Sequence, residues 1–169
     1  MMNKKLDRII TRISIDTLEK LAFMFAFPEE DGDETNRAGD ANGSVHASVA
    51  FSGPFDGTLA IEMTQAELSE LTVNMLGLDT DNEVKPEQRH DALKETLNVI
   101  CGNMLPAIAG KQAVFNIEVP RIREPNQSMA GESDQQLRSV VRLNLEMGRC
   151  CLYLFVDGQL PQYVHSSAS

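Results

Sequence analysis

Residues 91–105 read Asp91-Ala-Leu-Lys-Glu95-Thr-Leu-Asn98-Val-Ile-Cys-Gly102-Asn103-Met-Leu105. Placed on a wheel at 100° per residue, Leu93, Leu97, Ile100, Met104 and Ile108 gather on one side as an apolar stripe. Asp91, Glu95, Asn98 and Gly102 gather opposite them, at i, i+4, i+7 and i+11. The stripe predicts a helix from near Pro86 to about Ala109, with Pro106 placed to kink its last turn. The opposite ridge is oddly composed for a helix. Asn and Gly in a helix interior each cost roughly 0.5–1 kcal/mol relative to Ala. Asp91 and Glu95 set like charges one turn apart, which costs a few tenths more. The plain alternative is a solvated face with suboptimal residues. Local choices that disagree with the helix nevertheless point to a second task for this ridge.

Working outward, residues 4–27 carry Ile9, Ile13, Leu18, Leu21 and Phe25 at roughly helical spacing, and Pro28 stops the pattern. Residues 29–44 are acidic and rich in Gly, Asp and Asn, which predicts a loop or a disordered segment. Val45, Ala47, Val49 and Phe51 then alternate with His46, Ser48 and Ala50, the period of a strand. Gly53, Pro54 and Gly57 turn the chain into a second strand over 58–63, making a hairpin. Thr64-Gln-Ala-Glu67 has the form of a capping box opening a helix with Leu68, Leu71, Thr72 and Met75 inward, closed by Gly77. Residues 79–85 are a polar loop; Asp79, Asp81 and Glu83 lack the glycine and the ligand spacing of a calcium loop. Beyond the 91–105 helix, strands are expected over 113–119, 137–147 and 149–156. Residues 123–136 form a polar connection, Gly148 makes a tight turn, and the tail after Asp157 frays.

The order is therefore helix, two strands, two helices, three strands. Short turns between neighbouring strands imply an antiparallel sheet with helices packed on it, an α+β class. At 169 residues the chain is expected to form one domain over 1–160 with a frayed tail at 161–169. The net charge of −10 opposes nucleic-acid binding, because a phosphate backbone repels an acidic surface. Cys101, Cys150 and Cys151 are odd in number and show no C-x-x-C spacing; adjacent Cys150 and Cys151 should point to opposite faces of their strand. They read as reduced thiols used as small hydrophobes. His46, His90 and His165 have no metal-like spacing, so no metal site is expected. Residues 53–57 lack the Lys-Ser/Thr of a phosphate loop, no Ser occupies a nucleophile elbow, and Met63, Met75 and Met104 fall on apolar stripes. Asp7, Arg8, Arg12, Asp16, Glu19 and Lys20 interrupt the N-terminal apolar stretch, so neither a signal-peptide core nor a membrane span is expected, and the location expected is the cytoplasm.

The segment Glu95-x-x-Asn98-x-x-x-Gly102-Asn103 resembles the active-site helix of the CheX/CheC/FliY chemotaxis phosphatases. In that family an acidic or serine residue precedes the Glu, and a proline lies some twenty-odd residues on. Asp91 and Pro120 stand at those places here. The resemblance covers roughly residues 45–122, including Phe55-Asp-Gly57-Thr-Leu-Ala-Ile-Glu-Met-Thr64 and Met75-Leu-Gly77. It implies a CheC-like fold and hydrolysis of the aspartyl-phosphate of a CheY-like response regulator. On this reading Asn98 orients the attacking water and Glu95 pairs with the receiver's lysine. Gly102 admits the partner's backbone, and Asp91 and Asn103 are peripheral docking residues. The chain needs no cofactor of its own, since Mg²⁺ is supplied by the partner receiver. A homodimer, joined by strand exchange or sheet pairing, is also implied. CheC-like members carry a second Glu-x-x-Asn on the N-terminal helix. Here Glu19-Lys-Leu-Ala22 has Ala in place of the amide, which leaves one site per chain, as in CheX. Two other readings share this fold: a module that binds a receiver without hydrolysing it, and a scaffold piece of a flagellar-switch or signalling assembly.

Overall fold

The computed structural model describes residues 3–30, 43–124 and 134–160. Helix α1 spans Lys4–Ala22, α2 Gln65–Leu76 and α3 Pro86–Ala109. The strands are β1 Phe27–Pro28, β2 Ser44–Ser52, β3 Asp56–Thr64, β4 Asn116–Ile117, β5 Arg121–Arg123, β6 Gln136–Asn144 and β7 Arg149–Asp157. Pairing is antiparallel throughout, in the order β1-β6-β7-β3-β2-β4, with β5 also on β2. The α+β class and the antiparallel sheet with helices on it are as the periodicities imply.

Register decides which residues meet the helices. Val45, Ala47, Val49 and Phe51 lie opposite Met63, Ile61, Leu59 and Gly57, which in turn face Cys150, Leu152, Leu154 and Val156 of β7. This face is buried under the helices together with Leu6, Ile10 and Leu18 of α1, Leu68 and Leu71 of α2, and the α3 stripe. Phe51, Phe55 and Phe115 meet edge to face, with ring centroids 5.2–6.0 Å apart, and clamp the β2–β3 turn to the chain that leaves α3. Cys150 lies on the core face and Cys151 opposite Glu62 and Arg142 on the other face, as alternation requires. All three thiols are free and buried, and burial raises their pKa values, that of Cys101 to about 12. Met63 and Met104 are fully buried and Met75 packs on the core.

Several boundaries differ from the sequence expectation. The first helix ends at Ala22 rather than residue 27. Phe23 takes a left-handed conformation (φ 52°), and the N–H groups of Phe23 and Met24 close the helix on the carbonyls of Glu19 and Leu18. Asn74 Nδ2 donates to the Ala22 carbonyl at 2.8 Å, so α2 completes the cap. Beyond that point residues 23–26 form no regular element before β1, with Met24 and Ala26 buried and Phe23, Phe25 and Phe27 exposed. Phe25 is therefore not part of the buried stripe. The strand expected over 113–119 is reduced to β4 at Asn116–Ile117, and a further short strand, β5, follows after Glu118, Val119 and Pro120, where Pro120 has no N–H to give a ladder on β2. The strand expected to reach Met147 ends at Asn144, because Leu145 N–H already turns back to the Gly148 carbonyl. Thr64 and Glu67 do not form the expected capping box. The Thr64 hydroxyl accepts from Arg149 N–H (3.3 Å) and the Glu67 carboxylate accepts from Met147 N–H, so both hold the β6–β7 turn. A Cβ on Gly148 would lie 2.2 Å from Thr64 Oγ1, which explains the glycine there. The expectations for the acidic loop at 31–42, for residues 125–133 and for the tail at 161–169 fall outside the described residues.

Candidate functional site

Helix α3 starts with Pro86 at its first position, where a missing N–H is harmless, and the Gln88 side chain accepts from Lys85 N–H at 2.9 Å. Its inner face is anchored by Leu93, Leu97, Ile100 and Met104, each fully buried, with Ile108 almost so. The Thr96 hydroxyl donates to the Ala92 carbonyl at 2.9 Å and is also buried. The helix packs on α1, α2 and the sheet, so its rotation about its axis is fixed by a continuous apolar seam.

That rotation turns Asp91, Glu95, Asn98, Gly102 and Asn103 to solvent, all five exposed. Asp91 takes Lys94 Nζ at 3.4 Å, a surface pair worth little to stability. Glu95 and Asn98 have no hydrogen-bond or ion-pair partner among the described residues. A Cβ built on Gly102 meets nothing within 4 Å, so no close approach inside the chain calls for glycine there. The ridge therefore offers a carboxylate, a carboxamide one turn on, and a bare stretch of helix backbone. A carboxylate can pair with a cation, and a carboxamide both donates and accepts hydrogen bonds without titrating.

On α1, Glu19 is exposed but Ala22 is fully buried beneath the core, so the place where a second amide would stand does not face solvent. Among the described residues no three His, Cys, Asp or Glu side chains are grouped to hold a metal ion, and no helix is long and apolar enough to cross a membrane. One feature of the surface is not read from helical periodicity: the exposed rings of Phe23, Phe25 and Phe27. Its signal is the strict alternation of residues 23–27, three aromatics around Met24 and Ala26, which is a strand period with the larger side chains outward.

A sequence profile described as "Chemotaxis phosphatase CheX" matches residues 45–141. No sequence among the curated proteins matches the chain. Among solved structures, the fold is similar to the chemotaxis protein CheX of Desulfovibrio desulfuricans, with a TM-score of 0.69 at 14% identity over 90% of this chain and 99% of that one. A CheC-like superfamily protein from Shewanella sp. PV-4 gives 0.69 at 19% identity, over 93% and 100%. The CheX of a CheX–CheY–BeF₃–Mg²⁺ complex from Borrelia burgdorferi gives 0.63 at 15%, over 89% and 97%. At such identities the structures establish a shared fold. The profile covers more than half of the chain and includes β2, β3, α2 and the whole of α3, so the chain belongs to the CheX family of chemotaxis phosphatases.

Proposed function

We propose that this protein hydrolyses the aspartyl-phosphate of a CheY-like receiver, with α3 as the element that enters the partner's site. The observation that carries the reading is the ridge itself: Glu95 and Asn98 are exposed and have no partner among the described residues, beside a glycine that the fold does not need. In the reaction, water attacks phosphorus, the bond from phosphorus to the aspartyl oxygen breaks, and the carboxylate and inorganic phosphate are released. Mg²⁺ is held by the receiver in this reading and screens the phosphoryl charge. What remains for the phosphatase is to hold the water in line, which is a matter of positioning. Asn98 accepts a hydrogen bond from the water through its carbonyl oxygen and anchors its own orientation through the amide NH₂. Glu95, one turn back, pairs with the receiver's lysine and fixes the register of docking. Asp91 and Asn103 flank the contact, and Gly102 lets the partner's backbone approach.

The chain is expected to act as a homodimer in the cytoplasm. Strand β6 meets β1 only at Leu143 and Asn144, so among the described residues most of its outer edge has no strand beside it. Light scattering reads the association directly, against a chain mass of 18.7 kDa. The test of the activity is loss of acyl-phosphate from CheY-type receivers of the same genome, phosphorylated by a small-molecule donor, with Asn98→Ala at equal concentration. Acceleration that disappears in the variant, while its melting curve is retained, is the expected result. Binding without acceleration would make the chain a docking module instead.

A further inference from the structure

A second surface lies away from the α3 ridge, where the end of α1, the start of α2 and the β6–β7 turn converge. A cleft of about 360 Å³ opens there, lined by Phe23, Phe25 and Phe27 together with Glu67, Glu70, Asn144 and Glu146. Four observations bear on what it holds. First, the three phenylalanines are 77%, 65% and 67% exposed, while the smaller Met24 and Ala26 between them are buried. A segment that alternates in this way could satisfy the core with the opposite assignment of sizes, so the rings are kept outside at the expense of burial. Second, Phe23 is the one non-glycine among the described residues with positive φ, at a helix end where glycine is the unstrained choice. An exposed aromatic ring in a strained position has no structural reason to be there.

Third, the cleft contains two hydrogen-bond acceptors that are buried and have no partner among the described residues: Glu67 Oε2 and Asn144 Oδ1. The other Glu67 oxygen is occupied by Met147 N–H, which fixes the carboxylate in place. Both atoms lie beneath the cleft surface, so Glu67 contributes negative charge to the site and not a direct contact. Fourth, Glu70 and Glu146 add two carboxylates to the same wall, and burial together with these neighbours raises the pKa of Glu67. Among the described residues the cleft lining includes no lysine or arginine, so its wall gathers negative charge.

We propose that this cleft is a docking site for a partner polypeptide that presents a lysine or arginine between apolar side chains. The cation pairs with the Glu70 and Glu146 carboxylates and lies against aromatic faces, and the flanking apolar groups cover the phenylalanine rings. Charge complementarity selects this occupant over a second copy of the chain, which carries a net charge of −10 and would bring further carboxylates to an acidic wall. None of Asp91, Glu95 or Asn98 lines the cleft, so the receiver and this partner occupy different surfaces.

The experiment uses the full chain and a fluorescein-labelled 18-residue amphipathic helix of Leu and Lys, with a Leu–Glu helix as its charge-reversed counterpart, read by anisotropy at two salt concentrations. Two variants alter the cleft: Phe23→Gly/Phe25→Ser/Phe27→Ser, and Glu70→Gln/Glu146→Gln. A third, Asp79→Asn/Glu83→Gln, removes the same charge as the second at a distant loop. The expected result is a Kd at least tenfold weaker in both cleft variants than in the distant one, with no binding of the Leu–Glu helix. Equal weakening in the distant variant would reduce the effect to net charge and overturn the proposal, as would no binding of the Leu–Lys helix. If light scattering instead shows that the phenylalanine variant turns a dimer into a monomer, the second copy is the occupant and the proposal fails.

Discussion

Gly102→Ala separates what α3 needs from what the ridge is used for. Gly102 lies inside a 24-residue helix, is exposed, and has open space where a Cβ would go. No clash opposes the methyl group, so the change is helix propensity alone, and stability should rise by about 0.8–1 kcal/mol. For a chain of this length that is a melting temperature about 2–4 °C higher. If a receiver's backbone packs against Gly102, the same methyl group must be displaced on docking. A loss of about 1.4 kcal/mol in the docked state is a tenfold fall in kcat/KM, and it should show mainly as a raised half-saturation for the phosphorylated receiver. Calorimetry and the acyl-phosphate assay on one preparation give both numbers. The expected outcome is a protein that is more stable and less active. A lower melting temperature would mean that Gly102 has a packing role, and a higher one with undiminished hydrolysis would remove Gly102 from the docking surface.

Other consequences follow from the same geometry. Glu95→Ala should leave the circular dichroism spectrum unchanged and raise the half-saturation for phosphorylated receiver more than it lowers the limiting rate, as titration with receiver will show. Leu97→Ala removes a fully buried side chain from the α3 stripe and should cost about 2–5 kcal/mol, read as a lower urea midpoint. Glu67 predicts a pH dependence. Burial raises its pKa in the folded chain above 4.5, so the folded state holds that proton more tightly than the unfolded state does. Its contribution is present below pH 4.5 and is lost as pH rises through the folded pKa, so native stability should fall across that window relative to Glu67→Gln. Urea titrations at several pH values check the sign, and a fall of the same size in the variant would assign the effect to another group.

The fold was legible where burial leaves a local period. The α3 stripe, the β2–β3 alternation and the left-handed Gly77 (φ 66°) can each be read within a dozen residues. What was not legible depends on distant partners. Thr64-x-x-Glu67 is a capping pattern by spacing, yet both side chains are claimed by a turn some eighty residues on. The order of strands, with β7 between β6 and β3, is set by which apolar faces meet and leaves no mark in any one segment. Phe25 was misassigned because it falls at a helical interval from Leu18 and Leu21, while the alternation of residues 23–27 is the shorter and correct signal.

The same contrast explains why one surface was visible in the sequence and the other was not. On α3, the residues proposed for function are polar or small and stand where a helix would choose otherwise. They are conspicuous because they conflict with stability. The phenylalanines of residues 23–27 conflict with nothing in a sequence reading, since an aromatic residue is assigned to the core by default. Their conflict appears only once Met24 and Ala26 are seen to occupy the interior. Sequence reading thus finds sites that replace hydrophobic or helix-forming residues with polar ones, and passes over those that carry hydrophobic residues outward. For this chain the consequence is concrete. The surface expected to meet the receiver and the surface expected to meet a basic partner differ in chemistry, one a bare polar ridge and the other an acidic aromatic cleft. A double titration, adding the Leu–Lys helix during receiver dephosphorylation, should therefore leave the rate unchanged. Competition between the two would place both ligands on one surface and refute the separation argued from the geometry.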